Sequence, residues 1–148
     1  MSATIVCGVT DTSSGRDAAL LAKALSDRLG LTLILVHAID MPGDAGESVS
    51  ARQHRQGAER TMADVARQLG LDAVQSRIGC GDPADLLAGV AAREAAAMIV
   101  IGSSERGLMA RRLRSRPARR LAASGAVPVV VAPPQTRPRR SERLVAAG

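Results

Sequence analysis

Apolar positions along the chain fall into two kinds of pattern. Short, nearly continuous runs occur at 4–9 (TIVCGV), 31–38 (LTLILVHA), 98–102 (MIVIG) and 128–133 (PVVVAP). Runs of this length predict strands buried on both faces, as in a parallel sheet. Between them the apolar residues recur at helical spacing. Ala18, Leu21, Ala22, Leu25 and Leu29 share one face of a first helix that Gly30 closes, and Met62, Val65, Ala66 and Leu69 mark a second that Gly70 closes. A third helix is predicted in GDPADLLAGVAARE, with Asp82 as N-cap, Pro83 at the first position and Asp85 in the first turn. A short fourth is predicted over 116–125, RPARRLAASG. The segment 10–17 (TDTSSGRD) supplies turn and cap residues, and 41–50 (MPGDAGESVS) has loop composition.

One strand differs. Residues 73–78, AVQSRI, alternate, with Val74, Ser76 and Ile78 on one side and Ala73, Gln75 and Arg77 on the other. An alternating strand among continuous ones belongs at a sheet edge. The last run is bracketed by Pro128 and Pro133, and proline is tolerated at strand ends and edges, which assigns it the opposite border. Strand and helix therefore alternate through five strands. The predicted class is α/β: a single-domain, five-stranded, mostly parallel open sheet with helices on both faces. The domain is expected over residues 1–133. Residues 134–148 hold four arginines and two prolines with little to bury, and their composition predicts a basic, disordered tail.

Composition narrows the function classes. A chain of 148 residues is long enough for one real core, and with no Phe, Trp or Tyr that core must be aliphatic. The same lack removes the aromatic platforms on which single-stranded nucleic acid stacks. The net charge of +6 is unevenly placed: seven arginines fall between Arg106 and Arg120 and four more in the tail, against one acid, Glu142. Two cysteines make no disulfide framework; Cys7 lies in an apolar run and reads as a buried thiol, while Cys80 sits between two glycines. The chain opens MSATIVCGVT, without the basic start of a signal peptide, and no apolar run reaches membrane-spanning length. A cytoplasmic location and no membrane contact are expected.

In an open parallel sheet, ligands bind beyond the carboxyl ends of the strands, where the winding reverses. Here that means the loop after the first strand, residues 10–15, opposite the loop after the fourth, residues 102–116. Three stretches in this order carry a family resemblance: VTDTSSGRDAAL, GDPADLL, and MIVIGSS followed by GL and PVVVAP. Together, over residues 4–133, they resemble the universal stress protein family. The resemblance implies an adenine nucleotide alpha hydrolase-like α/β fold, a homodimer paired through the last strand, and a role in stress response.

It also implies a ligand class, because some members bind ATP through a loop of pattern G-x2-G-x9-G-(S/T). Gly102 supplies the first glycine here. Counted without gaps, Glu105 takes the second glycine's place, Ser115 the third and Arg116 the Ser/Thr; shifted by one residue at Gly107 and Leu108, Arg114 takes the third glycine and Ser115 the Ser/Thr. Two of the three glycines are lost either way. Glycines let backbone N–H groups approach a polyphosphate, and a glutamate there opposes one negative charge to another. The first loop retains the other half of the pocket: Asp11 matches the family's nucleotide-contacting Asp, with Thr10 before it, although an Asx turn or helix cap accounts for Asp11 equally well. Carried over by position, the candidate nucleotide-binding residues are Thr10, Asp11, Gly102, Ser103, Ser104, Gly107 and Ser115, for ATP or another adenine nucleotide in a degenerate pocket.

The arginine cluster has three readings: a solvated surface, a phosphate contact, or, with the tail, a larger polyanion site. With no recognised nucleic-acid module, nucleic acid is not the expected partner. His37 ends a buried strand and reads as packed or hydrogen-bonded; His54 lies in a polar run and reads as exposed surface. Two histidines far apart in sequence and no cysteine spacing give no metal signature. No nucleophile–base set can be assembled, and the one lysine, Lys23, lies inside the first helix rather than in a phosphate loop. The expected output is binding rather than catalysis, with weak ATP hydrolysis or phosphotransfer at the same pocket as the enzymatic alternative.

Overall fold

A computed structural model describes residues 3–10, 12–39, 49–71, 75–103 and 127–134. Five strands, β1 (Thr4–Gly8), β2 (Thr32–Ile39), β3 (Gln75–Cys80), β4 (Ala96–Gly102) and β5 (Val129–Ala132), form one sheet in the order β3-β2-β1-β4-β5. Every pairing is parallel. Three helices are described: α1 (Ser13–Leu29), α2 (Val49–Gln68) and α3 (Pro83–Arg93).

The strand patterns decide the positions in the sheet. β1 is buried along its whole length and lies at the centre, as its continuous apolar run requires. β3 exposes Gln75, Ser76 and Arg77 and lies at one edge; β5 lies at the other. Successive side chains of a strand point to opposite faces, so each strand feeds two cores. On one face Ile5, Cys7, Leu35 and Val100 pack with Ala18, Ala19 and Ala22 of α1 and Met62 and Val65 of α2. On the other, Val6, Ile34, Val36, Ile99 and Ile101 pack with Ala84, Leu87 and Val90 of α3. Helices thus cover both faces of the sheet, with small residues of α1 letting it lie close to the strands.

Local signals set the helix ends. The Asp82 carboxylate accepts from the backbone N–H of Ala84 at 2.8 Å and Pro83 follows it, the expected start of α3. Gly30, with φ of 66°, ends α1, and the N–H groups of Gly30 and Leu31 both return to the Ser26 carbonyl. β3 runs on to Cys80, past the expected end at Ile78, because its pairing follows β2 up to the match of Ile39 with Cys80, and the expected start at Ala73 and Val74 lies outside the described residues. β4 begins at Ala96, earlier than 98, after a tight turn in which Ala95 takes a positive φ of 48°. α2 begins at Val49, inside the stretch of loop composition, and residues 49–57 are exposed except for half-buried Ala51. The short helix expected over 116–125 and residues 135–148 of the tail lie outside the described residues.

Candidate functional site

The order β3-β2-β1-β4-β5 reverses its winding between β1 and β4, so the crevice lies where their carboxyl ends meet the start of α1. Past Gly8 the chain stays tied to β2: Val9 N–H donates to Val36 O at 2.8 Å, and the Nδ1–H of His37 donates to Val9 O at 2.8 Å. His37 is thereby hydrogen-bonded, holding the exit of β1. Thr10 then shares a hydroxyl–hydroxyl hydrogen bond with Thr12 at 2.7 Å. Thr12 is the N-cap of α1, its Oγ1 accepting from Gly15 N–H at 3.3 Å. One hydroxyl pair thus connects the strand exit to the helix entrance.

Two glycines fix how closely these parts approach. A Cβ placed on Gly15 would stand 2.6 Å from both the backbone nitrogen and oxygen of Thr10, and one on Gly102 would stand 2.7 Å from the carbonyl carbon of Ser14. Real Cβ atoms do not tolerate such contacts with backbone. Ser14 and Gly15 are buried, and Ser14 presses on Gly102 at the last position of β4, which pairs there with Ala132 of β5. The first turn of α1 is therefore wedged between the ends of β1 and β4. A helix start carries unsatisfied N–H groups and roughly half a positive charge, a ready environment for an anion.

Of the candidate residues, Thr10 and Ser103 are half-buried and Gly102 is buried, and the fold brings Thr10 and Gly102 to the two sides of this turn. Asp11, Ser104, Gly107 and Ser115 lie outside the described residues, as does the arginine cluster of residues 106–120. Ser14 and Gly15 were not legible as site-forming: SSG after a strand reads as turn and cap, and only the close approach to Gly102 and Thr10 gives them their part. Neither cysteine is in a disulfide; Cys7 is buried and Cys80 exposed.

The family model of the universal stress proteins matches residues 1–133. The chain belongs to the universal stress protein family. A search of curated proteins gives no match. Solved structures agree on the fold. A universal stress protein in complex with cAMP superposes with a TM-score of 0.65 at 20% identity, covering 90% of this chain and 98% of that one. A family member from Burkholderia pseudomallei gives 0.64 at 21% identity, covering 90% and 96%. The universal stress protein from Archaeoglobus fulgidus in complex with dAMP gives 0.61 at 14% identity, covering 90% and 98%. At these identities the likeness concerns the fold.

Proposed function

We propose that this universal stress protein acts in stress response by binding an adenine nucleotide in the crevice between β1, β4 and the start of α1, without turning it over. The observation that carries the reading is the wedge: Gly102 against Ser14 and Gly15 against Thr10 hold a helix start at the point where the sheet reverses its winding. The cAMP and dAMP complexes of proteins with this fold support the ligand class. Thr10, Asp11, Gly102, Ser103, Ser104, Gly107 and Ser115 form the pocket in this reading. With two loop glycines replaced, and a glutamate in the second one's place when counted without gaps, the grip on the outer phosphates of ATP is weak. A monophosphate then binds about as well as a triphosphate.

Calorimetry and thermal unfolding with AMP and ATP test this. A ligand at a hundred times its Kd stabilises the folded state by about 2.7 kcal/mol, which a melting curve resolves. Absence of both heat and melting shift at millimolar AMP and ATP overturns the reading; phosphate release from ATP on a scale of minutes overturns the non-catalytic part.

The domain of residues 1–133 suffices for binding in this account, so removal of 134–148 leaves the affinity unchanged. The edge strand β5 is the proposed homodimer contact, because Val129 and Val131 are 43% and 40% exposed on a strand that has a neighbour on one side only among the described residues, leaving an edge that a second copy would cover. No helix among the described residues is long and apolar enough to cross a membrane, and the cytoplasm is the proposed location.

A further inference from the structure

On the other side of β2, an open groove of about 510 Å3 lies between the end of that strand and α2, and both histidines of the chain line it. They are 17 positions apart in sequence, so no ligand spacing announces them; the fold brings them together. Their ring nitrogens are already sorted. His37 Nδ1 lies 2.8 Å from Val9 O, and His54 Nδ1 lies 2.7 Å from Ser50 O. A carbonyl oxygen can only accept, so each Nδ1 carries its proton and, in the neutral ring, each Nε2 presents a lone pair. The bond to Val9 holds His37 Nδ1 against the exit of β1, while the residue also lines the groove beside α2. Histidines that ligate metals show this arrangement, with the second ring nitrogen donating to a carbonyl that fixes tautomer and orientation.

The groove wall adds a second observation. Gly57 lies in the middle of α2, lines the groove, and a Cβ there would meet nothing within 4 Å. A glycine inside a helix weakens it, and this one is not explained by close packing or by a positive φ. It does keep the space beside His54 open.

We propose that His37 and His54 form a binding site for a divalent transition metal ion of the imidazole-seeking kind, Zn2+, Ni2+ or Cu2+, through their two Nε2 atoms. No group of three His, Cys, Asp or Glu side chains able to hold a metal occurs among the described residues. Among the described residues the site offers two imidazole nitrogens and the side-chain oxygen of Gln53, which lines the same groove, and water completes the coordination. Zn–N bonds of about 2.0–2.1 Å require the two Nε2 atoms to converge to roughly 3.4 Å. His37 is the fixed ligand and His54, on an exposed turn of α2, is the adjustable one.

Zinc chloride titrated into the full-length, nucleotide-free protein in a non-chelating buffer at neutral pH, followed by calorimetry, tests the site. One ion per chain is expected, and His54→Ala, at an exposed position that leaves the core intact, weakens binding at least tenfold. His37→Gln does the same, with circular dichroism checking its fold. Nitrogen-15 NMR of the imidazoles provides a readout independent of folding, with zinc moving Nε2 of both rings and leaving the protonated Nδ1 in place. No zinc binding by the unaltered chain, or a loss smaller than tenfold in His54→Ala, overturns the proposal.

Discussion

Substituting Gly102 by alanine adds one methyl group at the tightest junction of the crevice. The added Cβ would sit 2.7 Å from the carbonyl carbon of Ser14, backbone that cannot rotate away. The backbone of Gly102 has no positive φ, so alanine meets no conformational barrier and the cost is steric alone. Relief requires the first turn of α1 to shift from β4, loosening the packing of buried Ser14 and Gly15. Overpacking of this kind destabilises by about 1–3 kcal/mol. At roughly 2–4 °C per kcal/mol for a chain near this size, the melting temperature falls by about 2–12 °C. Gly57→Ala is the matched control: the same added methyl, in open space and in a helix interior, where alanine is favoured by about 1 kcal/mol. Urea and thermal unfolding of the two variants beside the parent should move in opposite directions. If Gly102→Ala unfolds with the parent, or gains stability as Gly57→Ala does, the wedge does not exist as described. The same variant should also bind nucleotide more weakly, since the donors of α1 move with the turn.

Further outcomes follow from the same geometry. Asp82→Ala removes the acceptor for Ala84 N–H and should cost about 0.5–2 kcal/mol in chemical denaturation, with Asp82→Ser recovering most of it. Leu35→Ala empties a fully buried position on β2 and should cost about 2–5 kcal/mol. Val131→Lys places a charge on the exposed face of β5 and should turn a dimer into a monomer in analytical ultracentrifugation with little loss of monomer stability. Ala95→Gly relieves a positive φ that costs a non-glycine residue about 1–2 kcal/mol, so a gain of up to about 1 kcal/mol is expected after glycine's own entropy loss.

Most of the fold was legible because its signals are local. Continuous apolar runs marked the inner strands, the alternation in AVQSRI marked the edge, and Asp82-Pro83 marked a helix start. The misplaced boundaries have a common cause. Ala95 and Ala96 carry no preference that separates helix, turn and strand, and the exposed first half of α2 has no apolar stripe to betray it. Gly79 and Cys80 join β3 only because β2 continues beside them. The candidate site was legible in its location, since switch points follow from strand order, but not in its construction. Contacts such as Ser14 with Gly102 and the shared groove of His37 and His54 join residues distant in sequence, and no pattern along the chain encodes them.

The central claim, an adenine nucleotide seated at the start of α1, is tested most directly by a backbone-amide NMR titration of the isotope-labelled protein with AMP. The account predicts saturable shifts concentrated at Thr10, Thr12 to Gly15, Gly102 and Ser103, with β3 and the far end of α1 unmoved. Shifts confined to another surface, or a spectrum unchanged at millimolar AMP, would contradict it.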